Sequence, residues 1–215
     1  MRATRPANLF QPSVETYADR YPEIFAFARR ELGDGPELAL LSFGCATGEE
    51  VFSLRRSFAQ AQIRGLDINP LSIATARLRR RRAGDPRMSF AVAGSLQAEP
   101  AGGYDAVFCM AVLRHAALSD PAVDSCERWI TFQAFDRMTG DLARCVRDGG
   151  LLIIQHSHFR FRDSSAAGRF ALALSVDNGI TPAQAPFGRD NRRLDEPPYG
   201  DVVFRKLPAG TRSAR

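Results

Sequence analysis

Leu38-Ala39-Leu40-Leu41-Ser42-Phe43-Gly44-Cys45-Ala46-Thr47-Gly48-Glu49-Glu50 is the stretch that decides how this chain folds. An apolar run of strand length, Leu38 to Phe43, enters a turn bracketed by two glycines, and Glu49 to Gln60 then reads as a helix. Glycines between a strand and a helix let a ligand lie against bare backbone at the helix N-terminus, where unpaired N–H groups wait. A side chain at Gly48 is therefore expected to obstruct the ligand's path. The next apolar run ends in Gly65-Leu66-Asp67-Ile68-Asn69-Pro70, which places the Asp67 carboxylate 19 residues beyond Gly48. In folds of this kind an acid at about that distance meets ribose hydroxyls.

Working outward, the alternation continues. Further strands are expected at Gln62 to Leu66, Met88 to Val92, Asp105 to Cys109 and Leu151 to His156. Helices are expected at Leu71 to Arg82, opened by Pro70, and after Asp120-Pro121, where an acid and a first-turn proline mark a start. The latter carries Trp129, Phe132, Phe135 and Leu142 as a core-facing stripe. Alternating strands and helices predict an α/β fold with a mostly parallel sheet and helices on both faces. Residues 1–37, with a helix or helix pair over 13–31, read as a helical cover belonging to the same domain as residues 38–215. Phe170 to Val176 is open between strand and helix, and Asp201 to Leu207 reads as a closing strand.

Composition narrows the function. Four cysteines stand without metal-site spacing, so no metal is expected and the thiols read as free. No apolar window approaches the roughly 20 residues of a membrane span, and no secretory signal follows the N-terminal basic residues, so a cytoplasmic chain without membrane contact is expected. The net charge of +5 is carried almost wholly by arginine, Lys206 being the sole lysine. Its densest cluster, Arg77 with Arg79 to Arg82, falls at a helix end, where cations complement the dipole.

The turn separates two ligand classes. It lacks the G-x-G-x-x-G pattern that receives a pyrophosphate, and Glu49 and Glu50 place two acids in the first helical turn. Acids there repel a pyrophosphate and attract a cationic ligand such as the ammonium of S-adenosylmethionine; alternatively they only stabilise the helix start.

Four stretches now fall into place: Gly44 to Glu50, Gly65 to Pro70, Phe108-Cys109-Met110-Ala111-Val112-Leu113, and Gly149-Gly150-Leu151-Leu152-Ile153-Ile154-Gln155-His156-Ser157. In this order they resemble the motifs of chemotaxis-receptor glutamate methyltransferases, over about Tyr21 to Ser157. The resemblance implies a Rossmann-like class I methyltransferase fold and S-adenosylmethionine as cofactor. It implies that the turn Gly44, Cys45, Ala46, Thr47, Gly48 and Glu49 brackets the methionine part and that Asp67 binds the ribose. Ile68 would pack on adenine, Gly94-Ser95-Leu96 would meet the adenine edge, and Cys109, Met110, Ala111 and Val112 would line the methyl-transfer side. Tyr17 and Arg20 stand nearest to where that family holds the methionine carboxylate. Met110 and Ala111 replace its arginine and asparagine, and His115 replaces its tyrosine near the methyl, so receptor methylation is not expected.

His115, His156 and His158 all stand at or just past strand ends on the ligand edge. His115 and His158 are the candidate catalytic bases, whereas the resemblance includes a histidine at the position of His156. Glu196-Pro197-Pro198-Tyr199 lies too far downstream to be the similar nucleobase-methyltransferase signature, and Phe187 to Arg193 reads as a solvated loop or an acceptor cap. The expected activity is methyl transfer to an oxygen or carboxylate of a small molecule or protein side chain. The alternatives are an RNA methyltransferase and a non-catalytic regulator that binds S-adenosylmethionine.

Overall fold

Leu40 and Leu41 are both fully buried, yet they belong to two different hydrophobic clusters on opposite faces of one sheet. That is what period-two alternation in a strand covered on both sides produces. The computed structural model describes residues 10, 20–176, 186–196 and 200–210. The element order is α1 (Pro22–Leu32), β1 (Ala39–Phe43), α2 (Glu49–Ser57), β2 (Gln62–Asp67), α3 (Pro70–Ala83), β3 (Met88–Val92), β4 (Tyr104–Met110), α4 (Phe132–Cys145), β5 (Val146–Gln155), β6 (Phe170–Ser175) and β7 (Asp201–Lys206).

Among the described residues seven strands form one sheet in the order β3-β2-β1-β4-β5-β7-β6. The first five run parallel, and β7 is antiparallel to both β5 and β6. Chain order reverses direction between β1 and β4, which opens a crevice at their C-terminal edge. The fold is the expected Rossmann-like α/β sheet. Side chains of α1, α2 and α3 (Phe25, Leu54, Ile73) share one cluster, and those of α4 (Phe135, Met138, Leu142) share the other. Fully buried Phe108 and Phe135 anchor the two faces, and truncating either to alanine is worth about 3–5 kcal/mol.

Local chemistry explains most boundaries. Asn69 caps α3 by accepting the N–H of Leu71 at 2.9 Å, and Pro70 occupies the first turn as expected. The start expected at Asp120-Pro121 is corrected. Asp120 instead accepts the N–H of Ala122 at 2.9 Å, a local turn, and α4 begins at Phe132 with the Thr131 hydroxyl accepting from Ala134 at 3.2 Å. Trp129 therefore lies in the preceding loop. β5 begins five residues before Leu151 and runs through the Gly149-Gly150 pair. Phe170 to Ser175 is a strand, and Lys206 at the end of β7 turns its Nζ inward to the carbonyls of Ala143 (2.9 Å) and Val146 (2.5 Å). That lysine satisfies carbonyls at the α4 C-terminus. Of the expected helix over 13–31, the described portion is α1; residues 13–19 lie outside the described residues, as do Pro197, Pro198 and Tyr199.

Candidate active site

Asp67, the last residue of β2, is held by two backbone donors: Ala46 N–H to Oδ2 at 2.8 Å and Asn69 N–H to Oδ1 at 2.8 Å. The carbonyl of Leu66, one residue earlier, accepts from Gly44 (2.8 Å) and Cys45 (2.9 Å). The β1–α2 turn is thus strapped to the end of β2, and each Asp67 oxygen keeps further lone-pair capacity towards a ligand. Ala46 takes a φ of 47° here, Ala111 a φ of 60° just past β4, and His156 a φ of 52° just past β5. Three neighbouring strand ends turn through left-handed non-glycine residues at the same edge. Such residues concentrate at ligand-binding edges because the surrounding structure has to impose them.

The turn's glycines do something other than clear a ligand path. At Gly48, φ is 92° and a Cβ would stand 3.2 Å from Phe90, 3.3 Å from Ala76 and 3.3 Å from Phe52. A side chain there strikes the protein's own α2–α3–β3 packing, which corrects the expectation of a ligand-only obstruction. Gly44, with φ 77°, lies against Val112, and Gly94 lies so close to Ile68 that a Cβ would sit 2.8 Å from its Cδ1. The two segments expected around adenine, at Ile68 and at Gly94-Ser95, are therefore neighbours. Leu96 turns its side chain into the core.

The paired acids part company. Glu49 receives Arg79 of α3 at 2.5 and 3.1 Å, and that guanidinium also caps the Thr47 carbonyl (3.0 Å) and covers Phe52. Glu49 braces the turn. Glu50 instead faces inward beneath it, where burial raises its pKa to about 7 against the opposing pull of the Ser42 hydroxyl and the Arg20 guanidinium. Burial first, then the charges of Asp67 and Glu50, pushes the Cys45 thiol up; burial and Glu50 do the same at Cys109. Both cysteines are inert core residues on the strand side of the site.

At the end of β4, Met110 is buried on the α1–α2 face, and just past it the Ala111 N–H donates to the Gln155 carbonyl at 2.8 Å. His115 caps a short 3-10 turn, its Nδ1 accepting the Ala117 N–H at 3.2 Å. His158 is 3% exposed, and its Nε2 donates to the His115 carbonyl at 3.0 Å. Burial, chiefly, lowers the pKa of both His158 and His156 to about 4, with Arg114 adding to the effect at each. His156 faces the Tyr21 ring at 5.6 Å. His158 thus holds the loop after β4 in place, an anchoring task the sequence reading did not assign. Tyr17 lies outside the described residues. Sequence reasoning passed over Ser42, Arg114 and Gln155. The signal for two of them was a single polar residue near the C-terminal end of an otherwise apolar strand.

Of the arginine cluster, Arg79 alone is seen to reach the turn. α3 runs back against the strands, so its C-terminal end lies at the opposite sheet edge; Arg77 and Arg80 donate to the carbonyls of Phe90 (3.0 Å) and Asp85 (3.1 Å). Among the described residues no group of three or more His, Cys, Asp or Glu is placed to hold a metal, and no helix is long and apolar enough to cross a membrane.

A switch-point crevice with an acid at the end of β2 and a strapped glycine turn before α2 defines a Rossmann-like ligand-binding domain. Residues 41–152, over half the chain, match the family described as methyltransferase domain, and the chain belongs to that family. It is 28% identical over 179 residues to the trans-aconitate 2-methyltransferase of Methylobacterium radiotolerans, covering 79% of this chain. The chain spans 57% of that relative's length. Solved structures with a similar fold include the [4+2]-cyclase SpnF (TM-score 0.47, 22% identity, 61% of this chain and 43% of that one). Another is the geranyl diphosphate C-methyltransferase of Streptomyces coelicolor A3(2) (TM-score 0.46, 18% identity, 61% and 42%). The family match is to the methyltransferase domain as a class; the finer resemblance to chemotaxis-receptor enzymes has no support among these relatives.

Proposed function

We propose that this chain is an S-adenosylmethionine-dependent methyltransferase acting on an oxygen, with a carboxylate favoured, of a small molecule or protein side chain. The observation that carries the reading is Asp67, an acid that straps the glycine turn through Oδ2, takes the Asn69 N–H on Oδ1 and keeps acceptor capacity at the end of β2 in a methyltransferase domain. The residues fit the cofactor along its length. Ile68 against Gly94 offers an apolar seat for adenine, and Asp67 offers acceptors for ribose hydroxyls. Arg20 and Glu50, of opposite charge and close enough to interact, match a zwitterionic amino-acid end, the cation taking the carboxylate and the acid the ammonium.

Held by Asp67, by Ile68 against Gly94 and by the Arg20–Glu50 pair, the cofactor would supply a methyl group activated on sulfur, to be passed to an acceptor oxygen with sulfur leaving on the bonding electron pair. An ionised carboxylate needs no base, so the protein's share is positioning and exclusion of water, with reacting atoms held about 3–3.5 Å apart. The relative that acts on trans-aconitate supports a carboxylate acceptor. Titration with S-adenosylmethionine and S-adenosylhomocysteine by calorimetry, followed by labelled-methyl transfer into fractionated extract of the source organism, tests the reading. Absence of cofactor binding ends it; binding without transfer to any fraction makes the chain a non-catalytic sensor.

A further inference from the structure

Gln155 is the last residue of β5 and sits cross-strand from Met110, the last residue of β4. Leu151 and Ile153, at the same parity, belong to the cluster under α1 and α2, so the Gln155 side chain faces that side, as Met110 does. The residue is 3% exposed, and its Nε2 has no hydrogen-bond partner among the described residues. A buried donor left without a partner calls for a reason. Strict alternation would send the next side chain, His156, to the α4 face. Its φ of 52° breaks the alternation, and the ring stands instead 5.6 Å from that of Tyr21 at the head of α1. Arg20, the residue before Tyr21, acts electrostatically on both His156 and Glu50. Ser42, whose hydroxyl acts on Glu50, lies on the same sheet face: its register runs through Phe108 to Ile153, one two-residue step before Gln155 and two strands away, about 10 Å across the sheet. Gln155 and the Ser42–Glu50 pair thus stand on two sides of one corner under the head of α1, with Arg20 acting on both sides.

Resting on the methyl-transfer reading, we infer that Gln155 belongs to the cofactor's amino-acid subsite and that its Nε2 donates to a carboxylate oxygen of the methionine end. An amide N–H is satisfied only by an acceptor, so the ammonium is not its partner. The ribose and adenine fall to Asp67, Ile68 and Gly94 at the ends of β2 and β3, and β5 stands three strands from β2, about 14 Å away. Of the cofactor's acceptors, the carboxylate is the one left for this corner. Gln155 then holds the carboxylate from the sheet side while Arg20 supplies the charge and Glu50 takes the ammonium. A buried donor aimed at a carboxylate discriminates strongly between ligands with and without that group, because the amide stays unpaired when the group is missing.

The test titrates the full chain by calorimetry with S-adenosylhomocysteine and with its decarboxylated counterpart, S-adenosyl-3-thiopropylamine, which keeps the adenosine, the sulfur and the ammonium and lacks the carboxylate. Wild type is expected to bind both, the amine more weakly. Gln155→Met, which keeps the length of the side chain and removes the donor, should weaken S-adenosylhomocysteine about tenfold or more and change the affinity for the amine by less than about threefold. It should also melt no lower than wild type, because an unsatisfied amide leaves an apolar face. The inference is overturned if Gln155→Met binds S-adenosylhomocysteine as wild type does, if it weakens both ligands alike, or if melting temperature and both affinities fall together, the mark of a structural role. A variant that binds both ligands as wild type does but loses labelled-methyl transfer places the amide on the methyl acceptor and overturns the inference equally. If wild type binds neither nucleoside, the methyltransferase reading itself fails and the inference falls with it.

Discussion

Ala46, held at a φ of 47°, gives its N–H to the Asp67 carboxylate across 2.8 Å, so the residue expected to bind the ribose is also the strap that closes the turn. Asp67→Ala removes two charge-assisted acceptors from the N–H groups of Ala46 and Asn69 together with the ligand's acceptor. Cofactor affinity should fall at least about tenfold, and calorimetric unfolding should show a loss of roughly 5–10 °C in a chain of this size. A variant that melts like wild type would mean that the strap carries no weight.

At Gly48 the expected damage is to the fold. Valine would combine a β-branched side chain with a φ of 92° and press on Phe90, Ala76 and Phe52. Gly48→Val should unfold at markedly lower denaturant than Gly48→Ala, which should itself fall below wild type. Equal midpoints for all three would contradict the contact geometry.

Glu50 gives a pH dependence whose sign follows from burial. Folding raises its pKa from 4.5 to about 7, so its contribution to stability is fully present below 4.5 and is lost as pH rises through about 7. The groups facing it are Arg20, the Ser42 hydroxyl and the Cys45 and Cys109 thiols. Glu50→Gln should therefore raise the melting temperature at pH 8 and change it little at pH 5. Cofactor affinity of the wild type should improve as pH rises from 6 to 8, and the variant should bind weakly with no such slope.

His115 is expected to be no general base. Its Nδ1 accepts the Ala117 N–H, which puts the proton of the neutral ring on Nε2 and leaves no lone pair there. His115→Gln, which can donate near the Nε2 position but cannot act as a base, should keep turnover within about fivefold, and the pH–rate profile of wild type should lack a rise near pH 6.5 that the variant loses. A hundredfold loss in His115→Gln with intact cofactor binding would restore the base.

What could be read beforehand follows a physical line. β1 to β4 and the glycine turn are local features: apolar runs a few residues long, a left-handed turn, an asparagine cap followed by proline. They are specified by residues within one element, and the sequence shows them. The start of α4 is not of that kind. Asp120-Pro121 satisfies every rule for a helix start, but Asp120 caps a turn, and the 186–196 segment ties down the intervening chain through Arg193, which donates to the carbonyls of Leu118 (3.1 Å) and Val123 (2.8 Å). Glu49 and Glu50 are equivalent in the sequence and differ because Arg79, 30 residues away, reaches the first while the second turns inward towards Ser42 and Arg20. Tertiary partners decide such cases, and spacing does not reveal them.

Lys206 has a practical consequence. It supplies the only ε-amine in the sequence, and that amine is buried with its protons donated to the carbonyls of Ala143 and Val146. An acylating reagent applied to the native chain can reach it only when the β5–β7–α4 corner opens. The rate of acylation at this single position, read by mass spectrometry, is thus a clock for local breathing of the sheet's antiparallel edge, with no background from other lysines.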